Sequence, residues 1–94
     1  MDEPEALVAL GALSQETRLR LYRLLVGAGS EGLSAGTIAE RLGVIPSSLS
    51  FHLSHLVQGG LITQRRVGRL MIYAIEPETM RDLLAYLTGI SNPV

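Results

Sequence analysis

Residues 34–58 read SAGTIAERLGVIPSSLSFHLSHLVQ, and the caps and apolar spacing of this stretch set the architecture of the chain. Ser34 is placed as the N-cap of a short helix, and Gly43 suits the residue that ends it. After a tight turn, Pro46 takes the first position of a second helix, where its missing N–H costs nothing, and that helix runs to about Gln58. Two helices joined by a glycine turn predict a helix-turn-helix.

The charge of the chain is unevenly distributed. Residues 41–75 contain four arginines and no acidic residue, a formal sum of +4, whereas the other 59 residues hold four arginines and nine acids and sum to −5. The net charge of −1 is therefore the balance of a basic segment and an acidic remainder. A basic segment that includes a helix-turn-helix is typical of a surface that contacts nucleic-acid phosphates.

A β-hairpin is predicted after the second helix. Residues 61–65 and 70–75 are rich in apolar and β-branched side chains, and they flank Arg66-Val67-Gly68-Arg69, where Gly68 can supply the positive φ of a turn. A hairpin in this place is a wing. The predicted fold is mainly α with a small β-hairpin, a dimeric winged helix-turn-helix with helices packed on a three-helix core, in one domain of residues 1–94.

The second helix and the wing supply the candidate DNA contacts. Short hydroxyls near a helix N-terminus reach base edges or phosphates, and histidine can donate to a phosphate or to guanine. Guanidinium groups grip phosphates or lie in a narrow minor groove. Although serines can simply start a solvated helix and cations can simply protect a hairpin edge, the lack of acids favours DNA contact. The predicted DNA-binding residues are Ser47, Ser48, Ser50, Phe51, His52, His55, Arg65, Arg66 and Arg69.

The helices also need buried sides. In the second helix of the motif the predicted stripe is Leu49, Leu53, Leu56 and Val57. Phe51 has two interpretations, because its ring either contacts a thymine methyl group or packs beneath the wing, and we expect it to pack. In the helix before the motif, an apolar group is expected to share one side while the arginines lie elsewhere: Leu19, Leu21, Tyr22, Leu24, Leu25 and Val26, against Arg18, Arg20 and Arg23.

Apolar helices at both ends of the chain predict a homodimer. One runs to about residue 13 and the other from 78 to about 90. A domain of this size buries only about two-thirds of its surface alone, and in a monomer these stripes would leave a sizeable apolar patch. The predicted dimer-interface residues are Leu7, Leu10, Met80, Leu83, Leu84, Leu87 and Ile90.

Composition argues against several other classes of protein. The chain has no cysteine, which excludes disulfides, thiolate metal sites and thiol redox sensing. His52 and His55 lack a third ligand, and the carboxylates of Glu78 and Asp82 more often form a solvated helix face than a site, so no metal or cofactor is predicted. No nucleophile stands with a base and an orienting group, so no enzyme is predicted.

The expected location follows from two further features. No run approaches the roughly 18 apolar residues of a membrane span, and the acidic start at residues 1–5 is unlike a basic secretory leader. We therefore expect no membrane partner and a cytoplasmic protein.

Several segments together carry a resemblance to a known family. They are TRLRL at 17–21, LSAGTIAERLG at 33–43, SSLSFHL at 47–53, GLI at 60–62, RVGR at 66–69, and Tyr73. In this order they resemble the ArsR/SmtB family of winged-helix bacterial transcriptional repressors. The resemblance implies a homodimer built by the first and last helices, with Ser47, Ser48, Ser50 and His52 facing the groove and the hairpin arginines forming the wing.

The chain departs from that family in its sensing residues. Many relatives sense metals or oxidants through cysteines, or zinc through histidines and carboxylates of the last helix, and neither set is present. LAYLT at 84–88 resembles an arsenic-responsive branch in which a cysteine pair follows, whereas here the chain continues as GISN at 89–92. Three options for its regulation are left: an unknown small-molecule inducer, a dimer-interface ligand, or regulation by concentration alone.

We therefore expect a sequence-specific DNA-binding transcriptional regulator. It would be a homodimeric repressor that binds an inverted-repeat operator in double-stranded DNA through the helix 46–58 and the wing 61–75. Two alternatives stay open. One is a winged-helix module for protein–protein interaction, and the other is a metal-responsive repressor with a cysteine-free site.

Overall fold

The computed structural model describes residues 1–92 as five helices and a three-stranded sheet. A single 3₁₀ turn, Gly29–Glu31, follows the second helix. The elements in chain order are α1 (Glu3–Leu13), α2 (Glu16–Ala28), β1 (Leu33–Ser34), α3 (Ala35–Leu42), α4 (Pro46–Gln58), β2 (Ile62–Val67), β3 (Leu70–Ile75) and α5 (Pro77–Ser91).

Side-chain caps explain where the helices begin. Asp2 and Glu5 form a reciprocal capping box at α1, with bonds of 2.9 and 3.0 Å. The side chain of Gln15 accepts the backbone N–H of Arg18 and caps α2. Ser34 caps α3 by accepting from the backbone N–H of Thr37 at 3.2 Å.

The boundaries predicted for the helix-turn-helix are confirmed. Gly43 ends α3 in the left-handed conformation with φ of +67°, which a side chain would disfavour. Pro46 begins α4, which ends at Gln58. These residues set the backbone geometry locally, so the helix boundaries could be predicted from the sequence.

The sheet is larger than the predicted hairpin. Strand order is β1-β3-β2, and β1 pairs antiparallel with β3 through Leu33 opposite Tyr73. β1 has only two residues and was not predicted, because a strand this short has no periodicity of its own. Just before it, Gly32 has φ of +70°, and a Cβ there would overlap the carbonyl oxygen of Tyr73. Glycine is therefore required for β1 to reach β3.

The hairpin itself is tighter than predicted. Val67 pairs with Leu70, so β2 extends beyond Arg65 and the loop consists of Gly68 and Arg69 alone. Gly68 has φ of +62°, while Arg69 does not have a positive φ. Glycine in the first position of a two-residue loop is typical of a type II′ turn, whose twist matches that of the strands.

The core lies between α1–α5 and one face of the sheet. Its largest fully buried side chains are Leu21, Leu25, Ile38, Leu49, Leu56, Leu61, Ile62 and Leu83. Leu83 was predicted for the dimer interface, but it is only 2% exposed within one chain and so has little surface to offer a partner. Val57 is half-buried rather than buried.

The prediction for the buried side of α2 is wrong at three positions. Leu19 and Val26 are exposed, whereas Arg18 is buried. The helical repeat explains this, since Arg18 shares a stripe with Leu21 and Leu25, and Leu19 and Val26 lie one step round the helix.

In α1 the inward residues are small and the outward residues are large. Ala6, Ala9 and Ala12 are buried, and the chain at Gly59 comes so close that a Cβ there would lie 3.2 Å from the Cβ of Ala12. Leu7 is exposed on the other side of α1. In the part of the chain that the structure describes, no helix is long and apolar enough to cross a membrane.

Candidate nucleic-acid interface

The exposed face of α4 begins with hydroxyl groups. Ser47, Ser48 and Ser50 are exposed, while Leu49 and Leu53 on the opposite side are buried. The hydroxyl of Ser50 donates to the carbonyl oxygen of Pro46 at 3.2 Å, so it is partly occupied within the helix. Within residues 1–92 the hydroxyls of Ser47 and Ser48 form no such bond, which leaves them the more available pair for an external acceptor or donor.

The N-terminus of α4 is also open to an anion. The N-cap residue, Ile45, provides no side-chain acceptor for the first N–H groups of the helix. Unpaired N–H groups and the positive end of the helix dipole favour a phosphate at this end. The serines and the helix terminus thus lie together on one end of α4.

Phe51 is exposed on α4, and the expectation that it packs beneath the wing is wrong. It is 59% exposed, and its ring stands edge-on to His55, with centroids 4.5 Å apart, and to His52 at 5.7 Å. The leucine stripe takes the buried side of the helix, and Phe51 falls outside it. Its solvent-facing ring matches the other interpretation, contact with a thymine methyl group.

His52 contacts Arg18, which was predicted to lie away from the apolar side of α2. The guanidinium of Arg18 donates through Nη1 to Nδ1 of His52 at 3.3 Å and through Nε to the carbonyl oxygen of Ala12 at 2.7 Å. Burial, the charge of Arg18 and then that of His55 lower the pKa of His52 below 6.5. Arg18 and His52 lie on different helices, α2 and α4, so no local sequence pattern indicated this contact.

The arginines of the wing divide between its two faces. Successive residues of a strand point to opposite faces, so Arg65 and Arg66 diverge, and Arg66 shares a face with the buried Ile62. Arg65 donates through Nη2 to the carbonyl oxygen of Glu31 at 2.9 Å, against the 3₁₀ turn. Arg69 lies in the exposed loop at the tip. The predicted set of three arginines is therefore not one cluster.

The charge of the wing is not neutralised by neighbours. Within residues 1–92 the single ion pair joins Arg81 to Glu78 at 3.9 Å, on α5. Arg66 and Arg69 are exposed and carry uncompensated charge. Across the same residues there is no group of three His, Cys, Asp or Glu side chains that could hold a metal ion.

The predicted dimer residues form an uneven set. Leu7, Leu84 and Ile90 are well exposed and Leu10 less so. Met80 and Leu87 are half-buried against the core. A cavity of about 420 Å³ lies nearby, between α1, α5 and the end of α4, and its lining includes Val8, Gln58, Thr79 and Asp82.

The chain is similar to known transcriptional regulators. A family model described as a helix-turn-helix domain matches residues 13–65. The chain is 30% identical over 81 residues to the transcriptional repressor SdpR of Bacillus subtilis, an alignment that covers 86% of this chain and 87% of that protein.

Solved structures with the same fold include two bacterial proteins. An ArsR-like transcriptional regulator from Rhodococcus sp. RHA1 superposes with a TM-score of 0.83 at 30% identity, over 94% of this chain and 80% of that one. A winged helix-turn-helix DNA-binding domain from Mycobacterium bovis, described as homodimeric, superposes with a TM-score of 0.75 at 24% identity, also over 94% and 80%.

Proposed function

Because this chain belongs to the ArsR family of winged helix-turn-helix regulators, we propose that it is a sequence-specific DNA-binding transcriptional repressor. The observation that carries the proposal is the pairing of an open, serine-bearing N-terminus of α4 with uncompensated arginines on the wing. Both belong to segment 41–75, which has no acidic residue. The helix would contact base edges in the major groove, and the wing would contact the flanking backbone.

In this proposal Ser47, Ser48, His52 and Phe51 reach the groove. Ser50 and His55 have supporting roles, since the hydroxyl of Ser50 is bonded to its own helix and the ring of His55 packs against Phe51. The wing contacts are assigned to Arg66 and Arg69. Arg65 is assigned to holding the sheet against the 3₁₀ turn instead.

The proposed active form is a homodimer. Large apolar side chains of α1 and α5, including Leu7, Leu84 and Ile90, face solvent in one chain, and a second copy would cover them. The Mycobacterium bovis domain of the same fold is described as homodimeric, which supports a dimer. Binding to an inverted-repeat operator would require the two-fold axis to place the two α4 helices about 34 Å apart.

The proposed location and signal follow from this role. The relatives named above come from bacteria, in which a repressor acts on DNA in the cytoplasm, and we place this protein there as well. Since the chain has no cysteine, the signal cannot be bound by thiolates. We assign the signal to a small molecule, with the cavity beside Val8 and Thr79 as its binding place, because this cavity adjoins both proposed dimer helices and the end of α4.

Selection of bound sites from a random duplex pool tests the function directly. We expect enrichment of an inverted repeat whose half-sites are about one helical turn apart, and affinity that falls steeply with salt. Binding that does not depend on salt, together with no enriched sequence, would refute the proposal and favour a protein-binding module. Sedimentation in the same buffer measures the dimer, and a monomer at micromolar concentration would contradict the two-fold model.

A further inference from the structure

Arg18 is a buried cation without an acidic partner. Its side chain is 9% exposed, and within residues 1–92 it forms no ion pair. Its hydrogen bonds go instead to the carbonyl oxygen of Ala12, at the end of α1, and to Nδ1 of His52, on α4. Burying a guanidinium costs free energy, and without an acidic partner only these hydrogen bonds offset that cost.

The bond to His52 determines where that imidazole carries its proton. A guanidinium has only donors, so Nδ1 of His52 must accept with its lone pair. In a neutral imidazole one nitrogen accepts and the other donates. This bond is therefore compatible only with a neutral ring whose proton is on Nε2, the nitrogen that does not contact Arg18.

We propose that Arg18 is a positioning residue for DNA recognition, which holds His52 as the neutral Nε2–H tautomer so that it presents one N–H donor to an acceptor on the operator. This inference rests on the proposed function and adds to it the chemistry of one contact. The acceptor is the N7 lone pair of a guanine, or a phosphate oxygen. A lysine could not replace Arg18, because one ammonium group lacks the planar fork that reaches two acceptors in fixed directions.

The groups around His52 also favour the neutral form of its ring. Arg18 approaches from α2, and His55 and Phe51 lie on the same helix. The lowered pKa of His52 means that its ring is neutral in a larger fraction of molecules at neutral pH than a free histidine is. Protonation would put a hydrogen on Nδ1 facing the Arg18 guanidinium, so the contact is lost as the pH falls through that pKa.

The first test uses the free protein. Long-range proton–nitrogen NMR of the His52 ring distinguishes a protonated Nε2 from a protonated Nδ1. We expect the Nε2–H form at neutral pH, and in Arg18→Met a mixture of tautomers with a pKa nearer to the ordinary value. Arg20→Met is the matched control, because it removes an equal charge from an exposed position of α2 and should leave the ring unchanged.

The outcomes of this test are decisive without DNA. A wild-type ring protonated on Nδ1, or an imidazolium at neutral pH, overturns the proposal. An unchanged tautomer ratio and pKa in Arg18→Met also overturns it. If Arg18→Met does not fold, Arg18→Lys keeps the charge but not the fork, and it should show the same mixture of tautomers.

The second test uses the selected operator. Replacing each guanine in turn by 7-deazaguanine, or each phosphate by a methylphosphonate, removes one acceptor at a time. We expect one such change to weaken wild-type binding about 3- to 10-fold, the value of one hydrogen bond, and to have no further effect on Arg18→Met. The type of change that acts identifies the acceptor as a base or a phosphate.

Replacing His52 by a residue that donates but does not titrate separates the effect of the donor from the effect of the charge. His52→Gln places an amide N–H close to the position of Nε2 and does not titrate, so its sensitivity to the same changed acceptor should stay constant with pH. If no acceptor analogue affects wild type more than Arg18→Met, the role of Arg18 in recognition is refuted even where the tautomer is as expected. A wild-type protein that binds no duplex rejects the proposed function itself, whatever the tautomer.

Discussion

Replacing the two neighbouring arginines of the wing separately measures which face of the hairpin meets DNA. Arg65 and Arg66 point to opposite faces of β2, and the guanidinium of Arg65 is bonded to the carbonyl oxygen of Glu31 at 2.9 Å. Arg66 is exposed and has no ion pair within residues 1–92. Arg66→Ala should therefore remove a phosphate contact, whereas Arg65→Ala should mainly loosen the packing of the sheet against the 3₁₀ turn.

The size of the effect follows from counterion release. Each phosphate contact contributes about 0.9 to the slope of log affinity against log salt, and a dimer has two wings, so Arg66→Ala should reduce the slope by about 1.8. Between about 50 and about 200 mM salt, that difference changes the affinity ratio of wild type to variant by about 12-fold. For Arg65→Ala the ratio should stay nearly constant over the same range.

Fluorescence anisotropy with the selected operator and with a random duplex measures both slopes. Arg66→Ala should weaken binding to the two duplexes by similar factors, because a phosphate contact carries no sequence information. Equal slopes for the two variants would refute the division of the wing into two faces. A reduced slope for Arg65→Ala alone would show that the Glu31 contact is exchanged for a phosphate on binding.

Three further predictions concern stability, assembly and base recognition. Gly32→Ala should lower the free energy of unfolding by about 2 kcal/mol or more, because it combines a positive φ with overlap at β3. Gly27→Ala, in open space on α2, should raise it by up to about 1 kcal/mol. Thermal unfolding measures both changes. Leu84→Glu should give a folded monomer in sedimentation, while Leu70→Glu, equally exposed at 55% but on the wing, should remain dimeric; two identical profiles would rule out the α5 interface. Replacing one operator thymine by deoxyuridine should cost wild type about 4-fold in affinity and Phe51→Ala nothing, and a loss shared by both proteins would exclude Phe51 as the methyl contact.

Prediction from the sequence succeeded where the signal is local. The caps at Ser34 and Gly43 and the proline that begins α4 act within a few residues of the backbone. The position of the wing follows in the same way from Gly68, which supplies the positive φ of a two-residue loop. The basic character of segment 41–75 is likewise a property of composition and did not require coordinates.

Prediction was less successful where a helix has more apolar residues than its buried face holds. Leu83 and Leu84 are adjacent leucines on α5, but one is in the core and the other is exposed, because the helix turns about 100° per residue. Phe51 was expected to pack beneath the wing, yet it is exposed, and Leu49 and Leu53 occupy the inward side of α4. Hydrophobic character therefore identified candidate core residues, but it did not show which of them are buried.

The contacts that refine the candidate site join distant parts of the chain. Arg18 and His52 are 34 residues apart, as are Arg65 and Glu31, and both pairs meet only because α2, α4 and the sheet pack together. The amino-acid sequence alone determined the order of the five helices and the hairpin, the boundaries of the helix-turn-helix and its basic surface, since these depend on neighbouring residues. Tertiary packing alone decided the contact between Arg18 and His52 and the division of the wing arginines, because both depend on which backbone oxygen or ring nitrogen a distant side chain can reach.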